Sequence, residues 1–223
     1  MISEHRPYIA REGWIFILFA LACAWGVHMS VGKVYAIPVW LLTILLAYVF
    51  RDPKCKIPPI ALAVVSPVDG RIKAIENSVD PYLERTATAI GMDMKPTGPF
   101  VVRSPIEGKV MNQWLGVVNP HGPGNGTNPE KHTSNDKTRH YHAIWVQSDE
   151  GDDVVLVLVK SPFGFRPRYY VHAGERVGQG QRCGFVNFGC EVLLFVPEGS
   201  RRECMPGNSV TAGSDVVATL IHK

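Results

Sequence analysis

The sequence predicts a mainly β domain behind an N-terminal hydrophobic helical hairpin, and three observations carry that prediction. Residues 14–27 and 34–50 are two uncharged apolar runs separated by a short link. After residue 57 the apolar stretches become short, rich in Val and Ile and punctuated by Gly, Pro and Asp, and none keeps a long helical period. Two pairs of these later stretches also echo each other residue by residue.

The bulk numbers bound the rest. A chain of 223 residues has room for one ordinary domain and an appendage. The net charge of +3 comes without a long basic block, so no nucleic-acid partner is expected. Five scattered cysteines (Cys23, Cys55, Cys183, Cys190 and Cys204) include no CxxC pair. That argues against both a disulfide framework and a four-cysteine zinc site, and for a reducing compartment.

Each apolar run is slightly shorter than the roughly 20 residues of a full helical span. Arg6 and Arg11 precede the first run, and Arg51, Lys54 and Lys56 follow the second. Positive charge on both outer flanks places both on the cytoplasmic side. Trp14, Tyr35, Trp40 and Tyr48 are available as interfacial anchors. A cleaved signal peptide would be followed by soluble sequence, whereas here a second apolar run follows. Residues 1–56 are therefore expected to anchor the chain in the cell membrane, with a β-rich domain, 57–223, on the cytoplasmic side.

In that domain, strands are expected at 61–66, 71–75, 100–103, 109–113, 143–147, 154–159 and 192–196. Ser66-Pro67-Val68-Asp69-Gly70-Arg71-Ile72 is echoed by Ser104-Pro105-Ile106-Glu107-Gly108-Lys109-Val110. Likewise residues 173–180, AGERVGQG, are echoed by 206–213, PGNSVTAG. This pairing resembles the barrel-sandwich hybrid of biotinyl and lipoyl carriers, built from two quasi-symmetric halves. Those carriers need an exposed lysine in a tight hairpin, which this chain lacks, so the resemblance extends to fold and not to function. Residues 119–139 are polar and rich in Asn and Gly, which predicts a long surface loop.

The candidate chemistry lies at Gly189-Cys190, just before the apolar run 192–196. A thiol that follows a glycine peptide can attack that glycine's carbonyl, convert the amide to a thioester and, by elimination, leave a ketone at the new N-terminus. That ketone is a pyruvoyl group. Alone, the dipeptide fits a buried cysteine beside a turn glycine equally well. Several residues give it context: Glu12-Gly13-Trp14, Phe50-Arg51-Asp52-Pro53, Ser66-Pro67-Val68-Asp69-Gly70, the segment 171–188, and Phe188-Gly189 leading into a strand. In order and over nearly the whole chain, these resemble the short, membrane-anchored form of phosphatidylserine decarboxylase.

The resemblance implies a pyruvoyl-dependent carboxy-lyase made as a zymogen. It would cleave itself between Gly189 and Cys190 into 1–189 and 190–223, which would stay associated. It would then convert a serine phospholipid to an ethanolamine phospholipid at a membrane, and association into a homo-oligomer is also implied. Asp69 matches the family's aspartate that assists self-cleavage, although Asp-Gly also makes ordinary turns. The chain departs from the pattern twice. Cys190 stands where the family has serine, a workable exchange because a thiol attacks acyl carbons well. Phe100 stands near the family's histidine and can neither take nor give a proton. His140 and His142, two residues apart on an expected strand, are the substitutes for acid–base help. Arg103, Lys109 and Arg166 are candidates to pair with a lipid phosphate.

Two rival readings remain at this stage. One is a non-catalytic relative that keeps fold and anchor but neither processes nor decarboxylates, which Phe100 favours. The other is a zinc endopeptidase using His-x-His, with His121, His132 and His172 as further donors. Its His-x-His falls on the wrong side of the Gly-turn segment, and no His-x-x-x-Asp completes the site, so no metal is expected.

Overall fold

The computed structural model describes residues 13–30, 32–51, 55–96, 98–117, 140–159 and 166–221. The chain divides into two compact units, one ending at Lys54 and the other running from Cys55 to Lys223.

The first unit is a pair of helices, α1 (Gly13–Ser30) and α2 (Lys33–Val49). Gly13 lets them meet closely, since a Cβ there would lie 2.5 Å from Phe50 Cβ. The Phe16 and Phe50 rings stack at 5.5 Å. Two hydroxyls within the helices bond to their own backbone, Ser30 Oγ donating to Gly26 O and Thr43 Oγ1 to Val39 O. Large apolar side chains such as Phe19 (73 % exposed) and Val34 (74 %) point outward. A helix that is apolar all round suits a membrane or a deep core rather than a water-facing surface. α1 is long and apolar enough to cross a membrane.

The second unit is all β. Its strands are β1 (Ala63–Val65), β2 (Gly70–Asp80), β3 (Arg85–Met94), β4 (Val101–Arg103), β5 (Gly108–Val117), β6 (His140–Gln147) and β7 (Asp153–Val159). They continue with β8 (Arg168–Tyr169), β9 (Arg176–Val177), β10 (Arg182–Phe185), β11 (Glu191–Pro197), β12 (Arg201–Arg202), β13 (Ser209–Val210) and β14 (Val216–Thr219). An eight-stranded curled sheet runs β13-β2-β3-β11-β7-β6-β5-β9, and two three-stranded sheets run β1-β14-β12 and β4-β10-β8. The fold is thus mainly β behind apolar helices, as the sequence predicts.

The sheet order reads the same from both ends once β13 is exchanged for β9, β2 for β5, β3 for β6 and β11 for β7. The same exchange turns one small sheet into the other. The hydrogen bonds follow it. Val65 N donates to Pro105 O, and Arg103 N to Pro67 O. Ser66 Oγ donates to Val68 O and Ser104 Oγ to Ile106 O, each at 2.7 Å. Gly213 N reaches Ser66 O while Gly180 N reaches Ser104 O, and both glycines have positive φ. The two echoes in the sequence are therefore the two halves of a quasi-two-fold structure. One half is continuous, β4–β10; the other is assembled from β1–β3 and β11–β14.

The centre of the sheet explains the longest apolar runs. β7 and β11 pair side by side, Leu194 opposite Leu156 and Val192 opposite Leu158. One face packs Ile90, Met92, Ile144, Leu156, Leu158, Val192 and Leu194, all without exposure. The other packs Val155, Val157, Leu193 and Phe195 beneath Tyr82, Trp114, Tyr141 and Trp145. Strands buried on both faces need no polar alternation, hence VVLVLV and VLLFV.

β3 is absent from the sequence expectation and is longer than most strands that were expected. Its residues, RTATAIGMDM, carry one β-branched aliphatic, and small Ala and Gly take the positions beneath Leu193 and Phe195. Neighbouring strands decide its conformation more than its own propensity does.

Gly70 and Gly108 open the equivalent strands β2 and β5 in backbone-tight positions. A Cβ at Gly108 would lie 2.1 Å from Gln147 O, and one at Gly70 2.4 Å from Asp93 O. Because backbone cannot swing aside, Gly108→Ala should cost about 2–3 kcal/mol and lower the melting temperature of the detergent-solubilised chain by roughly 5–10 °C. Circular dichroism melts measure this.

Candidate active site

The sheet register brings Asp69 and Gly189-Cys190 to one end. Gly70 pairs with Met94 across β2 and β3, and Glu191 pairs with Asp93 across β11 and β3. Asp69 and Cys190 each immediately precede these pairs. With β3 between them, their backbones stand about two strand spacings, roughly 10 Å, apart.

Asp69 is half-buried and held from both sides. Its Oδ1 accepts Ala212 N–H at 2.6 Å, from the C-terminal glycine turn, and its carbonyl accepts Lys95 N–H at 2.9 Å. A carboxylate receiving a main-chain N–H makes the stronger, charge-assisted kind of hydrogen bond. A Cβ on Gly98 would come 3.5 Å from Asp69 Cβ, so the β3–β4 connection also passes close by.

Gly189 and Cys190 leave β10 through a strained turn. Phe188 and Gly189 both have positive φ, 61° and 76°. For glycine this is unremarkable; for phenylalanine it is costly, about 1–3 kcal/mol. The strain sits one residue before the peptide group that Cys190 would attack. Beyond the turn, Cys190 O accepts Met94 N–H at 3.1 Å and Cys190 Sγ lies 3.8 Å from Met94 Sδ.

The thiol is 5 % exposed. Burial pushes its pKa far above the usual cysteine range, and the neighbouring Glu191 and Asp93 carboxylates add to the shift. Lys73 tempers those charges, 3.1 Å from Glu191 Oε1 and 4.0 Å from Asp93 Oδ1. At neutral pH Cys190 is a protonated thiol that needs a base before it can act.

Phe100, at the position of the missing histidine, is fully buried. Its ring lies 5.7 Å from that of Phe188 and 6.4 Å from that of Phe185. A side chain at this position therefore addresses the turn that carries Gly189, and here it supplies packing instead of a proton carrier.

Of the two histidine substitutes, only His142 has a described side chain. His142 shares a row with Leu158 and Val192, so two strand steps separate it from β11. Its ring packs edge-on against Tyr169 at 4.7 Å. Burial lowers its pKa, opposed by a backbone hydrogen bond with Pro167, and Nδ1 has no partner among the described residues. His140 opens β6, and its side chain lies outside the described residues, as do His121, His132 and the expected loop 119–139. His172 is exposed and pairs with Glu175. Among the described residues, no group of three His, Cys, Asp or Glu side chains is placed to hold a metal.

Arg103 corrects an expectation. It is 2 % exposed and donates to Gly180 O at 3.1 Å, bracing the junction of the two halves rather than meeting a phosphate. Lys109 and Arg166 are exposed. Two neighbours of the site were not singled out from sequence. Met94 lies on the unrecognised β3. Tyr169 belongs to a two-residue strand; its hydroxyl donates to Leu156 O, and burial raises its pKa well up, helped by Cys183 and Cys190.

The residues present fit a self-derived pyruvoyl group, because a nucleophilic side chain follows a glycine that has no side chain of its own to obstruct attack on its carbonyl. Comparison with known proteins gives the family. A sequence profile described as "Phosphatidylserine decarboxylase" matches residues 42–218. A protein from Nitrosomonas europaea named "Phosphatidylserine decarboxylase proenzyme" is 36 % identical over 216 residues, covering 96 % of this chain and 95 % of the relative. One of the same name from Aromatoleum aromaticum is 38 % identical over 215 residues, covering 96 % and 97 %. No solved structure matches. The chain is thus an enzyme of the carboxy-lyase class. It belongs to the phosphatidylserine decarboxylase family, which is pyruvoyl-dependent in general.

Cys183, also buried, has its pKa pushed up to about 12. Alkylation of the folded, uncleaved chain with iodoacetamide at pH 8 should therefore spare Cys183 and Cys190, both of which should react once the chain is denatured. Peptide mass mapping before and after denaturation reads the difference.

Proposed function

We propose that this chain is a membrane-anchored phosphatidylserine decarboxylase that processes itself at Gly189-Cys190. The observation that carries the reading is the strained Phe188-Gly189 turn, which presents a glycine–thiol peptide at the sheet end that also holds Asp69.

Processing begins when Cys190 Sγ loses its proton and bonds to the Gly189 carbonyl carbon. The Gly189–Cys190 C–N bond breaks, leaving a thioester and a free amine on residue 190. Loss of the Cys190 Cα proton then breaks Cβ–Sγ. Gly189 departs as a thiocarboxylate, and residue 190 is left as dehydroalanine, which water converts to the pyruvoyl ketone with release of ammonia. Asp69 is the acid–base group the sheet register supports best. His140 and His142 are weaker candidates, His142 because two strand steps separate it from β11. Release of backbone strain at Phe188 lowers the barrier to opening the turn.

Once formed, the pyruvoyl group supplies a ketone that takes the substrate's amine and an electron sink for the carboxylate leaving as carbon dioxide. The protein's own part is to exclude water around residue 190 with Phe100, Phe188 and Met94, and to hold the piece 190–223 in place. That piece stays attached because β11 is bonded on both sides, from Glu191↔Asp93 to Pro197↔Ala87 on β3 and from Val192↔Leu158 to Phe195↔Val155 on β7. Residues 1–56 hold the domain 57–223 at the cytoplasmic face of the cell membrane, where a serine phospholipid headgroup is in reach. Association into a homo-oligomer is part of the same reading.

Purified full-length chain in detergent should show a C-terminal fragment beginning at residue 190 and should form phosphatidylethanolamine from phosphatidylserine. Cys190→Ala should lose both, and Cys190→Ser should lose or greatly slow both unless Phe100→His is added. An undivided wild-type chain that releases no carbon dioxide would instead support the non-catalytic relative, the reading that buried Phe100 favours.

A raised thiol pKa fixes a sign for the pH dependence. Thiolate is the minor form at neutral pH, so its fraction rises about tenfold per pH unit below the pKa. The first-order rate of fragment appearance should climb steeply from pH 7 to 9. Phe100→His should raise the rate at pH 7 by tenfold or more and flatten that climb, since general-base help is worth about 10²–10⁴. Gel densitometry against time measures both.

A further inference from the structure

The turn between β10 and β11 carries a further polar side chain, Asn187, two residues before Gly189. It stands directly ahead of the two left-handed residues, Phe188 and Gly189. An asparagine at the start of a turn ordinarily accepts, through its side-chain oxygen, the backbone N–H two residues on. This one does not. Asn187 Oδ1 is buried and has no hydrogen-bond partner among the described residues. Donors close by are committed elsewhere, Val186 N–H to Phe100 O at 3.0 Å and Met94 N–H to Cys190 O at 3.1 Å. A buried acceptor without a donor is costly, and such groups in a folded protein have a cause.

Self-cleavage creates a donor that the precursor lacks. When Cys190 Sγ bonds to the Gly189 carbonyl carbon, the Gly189–Cys190 C–N bond breaks, and the nitrogen of residue 190 takes up the proton that the thiol loses. A peptide nitrogen with one N–H becomes a primary amine with two. That amine exists only in the thioester intermediate, because the same nitrogen later leaves as ammonia. It arises within the turn that holds Asn187, with only Phe188 and Gly189 between the two residues in sequence.

We propose that Asn187 is a further catalytic residue for self-cleavage, its side-chain oxygen accepting an N–H of the amine freed on residue 190. The inference rests on processing at Gly189-Cys190 as proposed above. An amine left free attacks the thioester and restores the peptide, the more stable of the two acyl forms. Bound to Asn187, it is held back from the Gly189 carbonyl while the Cys190 Cα proton is lost. The strained Phe188 and the unpaired oxygen both raise the energy of the uncleaved turn, and the new hydrogen bond lowers that of the intermediate. All three act on the same step.

The test treats full-length chain in detergent with hydroxylamine, which opens the thioester and releases a fragment 190–223 that still begins with cysteine. Mass spectrometry separates it from the pyruvoyl fragment. Asn187→Leu, which keeps the size and removes the acceptor, should lower the yield of trapped fragment and the rate of pyruvoyl formation by about fivefold, the worth of one hydrogen bond. Asn187→Asp, which keeps an oxygen in the same place, should stay within about threefold of the unaltered chain. With Cys190→Ala in both chains, so that no thioester forms, adding Asn187→Leu should leave the melting temperature unchanged or raise it, since it removes an unpaired buried group. Trapping that is unchanged in Asn187→Leu means that solvent satisfies the oxygen, and it overturns the proposal while leaving processing intact. A lower melting temperature in Cys190→Ala/Asn187→Leu, or an Asn187→Asp chain as slow as Asn187→Leu, assigns Asn187 a structural role and also overturns it. An unaltered chain that yields neither fragment overturns the processing reading itself, and the role of Asn187 with it.

Discussion

The reciprocal backbone bonds between the two Ser-Pro turns, Val65 N to Pro105 O and Arg103 N to Pro67 O, fix the geometry on which the rest of the β domain is built. Proline supplies no N–H, so each turn can only accept through its carbonyl, and the donor must come from the strand entering the other turn. Each serine hydroxyl then closes on the carbonyl two residues ahead and leaves its own carbonyl for a left-handed glycine, Gly213 or Gly180. Once these contacts form, Gly70 and Gly108 must start long strands against Asp93 and Gln147, and the sheet order follows. Buried Arg103 spans the same junction, bonding to the Gly180 carbonyl.

The two halves are equivalent in space but not in connection. In one, β6 turns directly into β7 through Ser148–Asp152. In the other, β3 runs on to β4, and its partner β11 arrives only after the whole intervening half has been built. The Gly189-Cys190 peptide is the point of that late arrival. A break in a hairpin between adjacent strands would free a local loop and relieve little. A break here relieves the strain at Phe188 while the strand that follows stays locked between β3 and β7. The topology therefore permits cleavage of the backbone without loss of the fold.

Much of this was legible in the sequence because the defining features are local. Ser-Pro-x-acid-Gly, spaced glycines and unbroken Val/Leu runs have meaning within a few residues, and the echo at 66–72 and 104–110 exposed the quasi-symmetry before any coordinates. β3 was not legible: Ala, Thr and Gly fit beneath Leu193 and Phe195, a requirement set by distant residues. Met94 was missed with it, although its sulfur lies 3.8 Å from that of the predicted nucleophile. Tyr169 gave no signal because a two-residue strand has no period. Arg103 was read as one of three surface cations that could pair with a phosphate, since sequence does not distinguish a solvated arginine from one whose guanidinium caps a buried turn.

The exchange of serine for cysteine and of histidine for phenylalanine is best understood as one change in the same small volume. A serine hydroxyl ionises so reluctantly that it attacks an amide only with a base beside it, and an imidazole facing the Phe188 turn would serve. A thiol needs far less help, even with its pKa raised by burial, because it ionises many orders of magnitude more readily than an alcohol. Loss of the histidine is thus tolerable only where the nucleophile is sulfur. The aromatic ring that replaces it packs on Phe188 and Phe185, holds the strained turn closed and keeps water from the thiol. The pairing gives a dry, tightly packed turn, and Asp69, fixed by the Ala212 amide, stands at the same end of the sheet as Cys190.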